Sequence, residues 1–296
     1  MFLLSYVTKK QIYFLFFDKN KDTRHILKLT FYLLKLACRA RKNKDNKTMM
    51  RLYVPQLSCN TQQVILGQHQ AHYVLHVLRG KPQQTFLLFS ETAGEWQAEL
   101  RHATRHTVTF ALQLQTQKAS VSHAERHLYF SPLKQQPLSY LITKATEAGV
   151  THLHPCLCER TVIKNLNVAR LHKLAIEATE QSGRLAPPAL SPLLSLKQHL
   201  ESSPQTLQLF LLDPKASCSL AHVLQMKVQE TKQPSNIGLL LGPEGGWGPQ
   251  DDKILKNKAH TPVHLGDLVL RAETAATIAL GTCAQLLDHP AKPLKR

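Results

Sequence analysis

Residues 239 to 252 read "LLLGPEGGWGPQDD", with four glycines inside seven positions at the end of an apolar run. Glycine brings no Cβ, so such a loop lets backbone amides and carbonyls approach a ligand closely. No Gly-Lys-Ser/Thr follows, so the lysine and hydroxyl that hold a nucleotide triphosphate are missing. A dinucleotide fingerprint needs Gly-x-Gly-x-x-Gly, and Gly246 and Gly248 provide only its first half. Both phosphate-binding readings fail. A backbone-lined ligand loop or an ordinary tight turn between strand and helix is left.

A second constellation is "HLHPCLC", which sets His152, His154, Cys156 and Cys158 at alternate positions. All are zinc-ligand types, but a straight strand spreads four such residues over roughly 20 Å, too far for one tetrahedral ion. Buried strand cysteines are the better reading, and no metal site is expected. The sixteen histidines are otherwise scattered without a catalytic pattern. The six cysteines have no framework spacing in a chain long enough to need no staples, which suits a reducing cytosol.

Whatever this loop holds, a particular set of elements must position it. "IGLLL" reads as a buried strand, "GPEGGWGP" as the turn at its carboxyl end, and "QDDKILKNKA" as the next helix. From residue 127 strands and helices alternate. The strand candidates are "HLYFS", "THLHPCL", "LQLFLLD", "IGLLLG" and "PVHLGDLVL". The helices are "PLSYLITKATEAG", "NVARLHKLAIEATEQSG" and "ETAATIALGTCAQLL", the first two closing at Gly149 and Gly183. Alternation of this kind predicts an α/β domain with a parallel sheet, whose ligands sit beyond the carboxyl ends of the strands. Residues 50–115 read instead as short strands and turns, implying a small β-barrel; "TVTFALQL" alternates, with Val108, Phe110, Leu112 and Leu114 on one face. Residues 116–126 form a polar linker before the catalytic-type domain of 127–296.

The chain carries a formal net charge of +17. Residues 1–49 hold 12 Lys/Arg against 3 Asp/Glu, and the remainder 25 against 17. A basic enzyme of this kind suits a polyanionic partner, since each phosphate contact releases counterions. Residues 1–49 look foreign to the rest, an extension expected to be disordered or to reflect a misplaced start, with Met49 or Met50 as the natural first residue. "ILKLTFYLLKLAC" (26–38) has the pattern of a basic amphipathic helix. No apolar run is long enough to span a bilayer, so no stable membrane association is expected.

Four stretches in register carry a family resemblance. "LLLGPEGG" followed by "HLGDLVLRAETAA" (264–276), "LITKATEAGVTHLHPCLCERTVIK" (141–164) and "KLAIEATEQSGR" (173–184) resemble the motifs of the ribosomal RNA small subunit methyltransferase E family, in the SPOUT superfamily. "MRLYVP", "HYVLHVLRGKP" and "GEWQAEL" resemble that family's PUA-like β-barrel. The resemblance runs from residue 50 to about 288, and residues 1–49 have no counterpart. It departs at Leu268, where the family usually has Arg, and at Asp267, commonly Pro.

The resemblance implies a SPOUT-type parallel sheet closed by a deep trefoil knot, and a cytoplasmic homodimer. It implies methylation of uridine N3 near the decoding centre of 16S ribosomal RNA in the small subunit, using S-adenosylmethionine. A related enzyme with another RNA target and a non-catalytic RNA-binding or assembly factor are the alternatives. By the same resemblance, Leu212, Leu241, Gly242, Glu244, Gly245, Gly246, Leu265, Gly266, Leu270, Ala272, Thr274 and Ala275 would wrap the cofactor, largely through backbone groups. The missing lysine then makes sense, because this cofactor has no phosphates. Arg271 would stabilise the anion that forms when N3 loses its proton, and Glu244 or Glu273 would take that proton. Arg51, Arg79, Lys81, Lys134 and Arg184 would contact RNA. Glu159 and Arg160 could pair with one another.

Overall fold

The computed structural model describes residues 4–8, 11–15, 49–59, 61–119, 124–230 and 236–288. The chain divides into two units, Met1–Met49 and Met50–Arg296. In the first, β1 (Leu4–Thr8) and β2 (Gln11–Leu15) pair antiparallel, with Thr8 opposite Gln11. The amphipathic helix expected over 26–38 lies outside the described residues.

The second unit opens with a five-stranded mixed sheet. Its strands are β3 (Met50–Tyr53), β4 (Gln63–Leu66), β5 (Thr85–Ser90), β6 (Gly94–Ala103) and β7 (Val108–Gln117), in the order β3-β5-β6-β7-β4. Only β3 and β5 run parallel. The span read as strands and turns also contains a helix, α1 (Gln68–His72), continuing in wider turns through Val77. Ala71 and Val74 are its buried residues, with Leu75 and Leu78 packed alongside. The helical spacing of these four was legible in the sequence. The even face expected of β7 does not hold: Val108 and Phe110 are fully buried, but Leu114 is 59% exposed. The β6–β7 register slips at three points, and each extra residue breaks the strict alternation along the ribbon.

The parallel sheet contains β8 (Arg126–Phe130), β9 (His152–Leu157), β10 (Ala189–Leu190), β11 (Leu194–Ser195), β12 (Gln208–Leu212), β13 (Ile237–Leu241) and β14 (Thr261–Val263). Its order is β10-β9-β8-β13-β12-β14, with β11 also on β9. Every residue of β13 is buried, as a strand covered on both faces requires. The helices are α2 (Gln135–Glu147), α3 (Val168–Ser182), α4 (Leu196–Glu201), α5 (Leu220–Glu230), α6 (Pro249–Lys256) and α7 (Ala272–Cys283). Leu128, Phe130, Leu239 and Leu241 share one core with residues of α2, α3, α5 and α7. Tyr129, Leu209, Leu211 and Leu240 face the other, with Leu196 and Leu200 of α4 and Leu255 of α6. Helix α3 is capped at its start by Asn167, whose side chain accepts from Arg170 N, and ended by left-handed Gly183 at φ 82°. No helix among the described residues is long and apolar enough to cross a membrane.

The strand expected over "PVHLGDLVL" stops at Val263. Gly266 has φ 128° and its N–H bonds the ring of His264, so the backbone leaves the sheet and forms a loop to residue 271.

Four histidines scattered in the sequence meet on the α4 side of the sheet. His127 stands opposite His152 in the β8–β9 register, and Tyr129 opposite His154. The His127 and His152 rings lie 4.2 Å apart and 9° from parallel, those of Tyr129 and His154 4.5 Å and 15°. His199 of α4 abuts His154 edge-on. Burial lowers the basicity of His127 and His199, and burial with the neighbouring imidazoles pushes His154 down to about 3. The fold disfavours protonation of His127, His154 and His199, whereas an unfolded chain takes up protons below about pH 6.5. Their contribution is therefore complete above that pH and is lost as pH falls from there toward His154's value of about 3. Tm is expected to drop on acidification from neutral into this range. His154→Phe keeps a flat ring in the stack without a titrating nitrogen and should make the drop shallower; an unchanged slope would exclude His154 as its source.

Candidate active site

The carboxyl ends of β12, β13 and β14 and the amino end of α7 surround a cavity of about 660 Å³. Two loops form its walls, 242–248 after β13 and 264–271 after β14.

The glycine loop is closely fastened. Gly242 lies against the indole of Trp247, where an added Cβ would come within 2.8 Å of the ring. Gly246 turns the chain with φ 74°, its N–H bonding Pro243 O at 2.8 Å. At Gly248 a Cβ would overlap the Glu159 side chain. The Asp251 carboxylate, 3% exposed, accepts from Gly248 N at 3.0 Å and from Glu159 N at 3.0 and 3.2 Å. Glu159 Oε2 accepts from Gln250 N at 2.8 Å, a carboxylate at the start of α6 where the helix dipole favours it. Arg160 donates to Gly245 O at 2.8 Å. Glu159 and Arg160 are thus not turned to one another: each reaches across to the glycine loop.

The second loop brings Leu265, Gly266, Leu268 and Leu270 to the cavity, and α7 opens with Arg271 at its cap and Glu273 in its first turn. Ala275 N bonds Arg271 O at 2.8 Å, which closes that turn. Arg271, Glu244 and Glu273 all line the cavity. Their side chains make no ion pair among the described residues, leaving them available to a ligand.

Of the residues expected around a cofactor, Leu212, Leu241, Gly242, Glu244, Gly246, Leu265, Gly266, Leu270, Ala272 and Ala275 line this space. Gly245 and Thr274 sit beside it without forming its wall. Sequence reasoning missed Asp213, Lys215, Trp247, His264 and Pro137, which also line it. Asp213 is fixed by its backbone N–H to Val263 O, and its Oδ1 accepts from Lys215 N at 2.9 Å. "LFLLDP" followed by an immediate Lys carried a signal for this pair, since it stands at the carboxyl end of a strand read correctly.

The match to known proteins decides what this architecture is. Residues 121–284 match the model of the RNA methyltransferase domain, more than half of the chain. The chain belongs to that family. Within it, the chain sides with the ribosomal RNA small subunit methyltransferase E proteins. It is 29% identical to the one from Rickettsia conorii over 241 residues, 81% of this chain and 96% of the relative. Against the Synechocystis relative it is 29% identical over 264 residues, 88% of this chain and 85% of the other. The crystal structure of the Neisseria gonorrhoeae ribosomal RNA small subunit methyltransferase E, bound to S-adenosyl methionine, superposes with a TM-score of 0.70 at 26% identity. It covers 80% of this chain and 98% of its own.

In this RNA methyltransferase chain, two cations expected at RNA are spent inside the protein. Arg51 pairs with Glu95 at 2.7 Å, donates to Thr179 O, Glu180 O and Arg184 O, and lies 4.0 Å over the Phe89 ring. Arg184 donates to Thr146 O at 2.8 Å and Val150 O at 2.6 Å, and burial lowers it to about 10, still charged at neutral pH. Arg51 braces the mixed sheet against the end of α3, and Arg184 the end of α3 against the end of α2, because a guanidinium taken from water must satisfy its donors with whatever carbonyls are near. Arg79, Lys81 and Lys134 remain exposed. Lys134 caps the start of α2, three residues before Pro137 in the cavity wall.

Arg51→Ala is expected to cost about 2–4 kcal/mol, because it removes at once a donor from the partly buried Glu95 carboxylate and from three backbone carbonyls; chemical denaturation measures it, and a loss under about 0.5 kcal/mol would return Arg51 to the surface class. Gly242→Ala should displace Trp247 and shift the tryptophan emission of the folded protein, whereas an unchanged spectrum would mean that the loop absorbs the methyl group elsewhere.

Proposed function

We propose that this chain transfers a methyl group from S-adenosylmethionine to N3 of a uridine near the decoding centre of 16S ribosomal RNA in the small subunit. The observation that carries the reading is the make-up of the cavity: it is bounded by a glycine loop and apolar side chains, with two cations, Lys215 and Arg271, and three carboxylates, Asp213, Glu244 and Glu273, in its lining. Such a balanced lining suits a zwitterion and is a poor cradle for a pyrophosphate. At about 660 Å³ the volume falls in the range of small-ligand pockets. The relatives named ribosomal RNA small subunit methyltransferase E, one of them with S-adenosyl methionine bound, support the same assignment.

When bound, S-adenosylmethionine supplies an electrophilic methyl group on a sulfonium. The chain's own residues do the rest. Backbone groups of 242–246 and 265–266, with Leu212, Leu241, Leu270, Ala272 and Ala275, hold the cofactor and keep water out. Uridine N3 is a poor nucleophile until its proton leaves. Glu244 or Glu273 accepts that proton, and the fixed fork of Arg271 faces the charge that spreads over the base carbonyls. Arg79, Lys81 and Lys134 contact RNA phosphates and position the strand. By family resemblance, the C-terminal segment forms a deep trefoil knot, the N-terminal sheet closes as a PUA-like barrel, and two copies act as a homodimer in the cytoplasm.

Radiolabelled S-adenosylmethionine and small ribosomal subunits lacking their native methylation are the test, with mass spectrometry locating the label. Label at uridine N3 near the decoding centre is the expected outcome. Arg271→Ala is expected to lower kcat by about 10²–10³, as for loss of one oxyanion donor. Cofactor binding without label would shift the assignment to another RNA target, with Leu268→Arg as the first variant to try. RNA retention unaffected by Arg271→Ala, with no transfer, would identify a non-catalytic binding factor.

A further inference from the structure

We propose that Glu125, His127 and His152 form a binding site for one divalent transition-metal ion of the zinc class, at the amino edge of the parallel sheet and away from the cavity at its carboxyl end. One ligand atom from each of the three lies within 4.8 Å of the others. Their placement follows from the register: His127 and His152 are directly opposite on β8 and β9, and Glu125 immediately precedes β8. This is a different set from the alternating His and Cys of "HLHPCLC", whose spacing along one strand rules out a shared ion.

Hydrogen bonding assigns the free lone pair. Arg126 N donates to Thr151 Oγ1, and Thr151 Oγ1 spends its own proton on Arg126 O at 3.0 Å. The 2.9 Å contact between Thr151 Oγ1 and His152 Nδ1 must therefore carry the imidazole's proton, leaving Nε2 as an unprotonated donor atom. His127 Nε2 stands 3.2 Å from Glu125 Oε2. Two ligands of one tetrahedral zinc stand about 3.3 Å apart, given bonds of about 2.0 Å. A metal can thus take the place of the proton between this nitrogen and this carboxylate, with His127 and His154 each changing tautomer so that His127 Nδ1–H donates to His154 Nε2 and His154 Nδ1–H donates to Ser191 Oγ.

The other nitrogen of each ring is already held. His127 Nδ1 bonds His154 Nε2 at 2.9 Å, and His154 Nδ1 bonds Ser191 Oγ at 2.9 Å. Outer partners of this kind orient metal-ligating histidines and raise their basicity. His127 is 4% exposed, while Glu125 and His152 are only partly covered, so an ion can enter from their side. The two imidazoles lie 9° from parallel, so their lone pairs run side by side. Closing on an ion requires the more exposed ring, His152, to turn out of the stack. Two imidazoles and a carboxylate suit zinc, cobalt or nickel, with water completing the sphere.

Zinc chloride titrated calorimetrically into the full-length chain at neutral pH is the test, with cobalt(II) absorption as the ligand probe. One saturable equivalent and a visible cobalt spectrum without a thiolate charge-transfer band are expected. His152→Ala and Glu125→Gln should each weaken binding at least tenfold and abolish the rise in Tm that zinc causes in the parent. Both side chains are partly exposed, and metal-free Tm checks that the variants fold. Absence of saturable binding, equal binding by both variants, or a thiolate band pointing to Cys59 or Cys218 would each overturn the site.

Discussion

The Asp251 carboxylate is the constraint on which the candidate active site depends. Buried at 3% exposure, it gathers N–H groups from Gly248 and Glu159, and so ties the loop after β13 to the loop after β9. Those strands are not neighbours; β8 lies between them. Glu159 and Arg160 then reach back to Gln250 N and Gly245 O, so the glycine loop is held at three points within six residues. A loop rich in glycine has much conformational entropy to lose, and a ligand would have to supply that ordering were it not already supplied by the fold. The clamp also explains the glycines singly. Gly242 leaves room for Trp247, Gly246 takes a left-handed turn, and Gly248 leaves room for Glu159.

A second set of buried charges joins the mixed sheet to the parallel one. Arg51 from β3 and Arg184 after α3 donate to carbonyls at the ends of α2 and α3, while Glu180 accepts from Tyr53 N and Tyr73 Oη. Helix carbonyls at a C-terminus have no partner within the helix, and a guanidinium offers five donors in one plane. That match ties β3 of the mixed sheet to the end of α3. It also takes two cations out of the basic surface, which leaves Arg79, Lys81 and Lys134 facing solvent.

The chemistry divides along the axis of the parallel sheet. Strand carboxyl ends, with their glycine loops and the start of α7, form the cavity; strand amino ends carry the stacked histidines. Both arrangements rest on the same parallel register, because in-register strands bring residues of like position to the same edge and face. His127 beside His152 and Leu241 beside Phe130 are the two ends of that one alignment.

Local pattern alone determined much of this protein. The apolar run of β13, the glycine loop after it, the helices α2 and α3 and the close of α3 at Gly183 are properties of a few consecutive residues, and these were legible. The family resemblance, not local pattern, named Gly242, Leu265, Leu270 and Ala275 of the cavity wall, and it missed Asp213, Lys215 and Trp247. Helix α1 was not read, although Ala71, Val74, Leu75 and Leu78 have its spacing. Tertiary structure alone decided the rest. The shortness of β14 depends on Gly266 and the ring of His264, the inward turn of Arg51 and Arg184 on carbonyls up to 133 residues away, and the grouping of four histidines on strand register. A side chain's type and its neighbours in sequence set which element it joins. Which distant donors, acceptors and rings it meets is set by how those elements pack, and no local pattern carries that information.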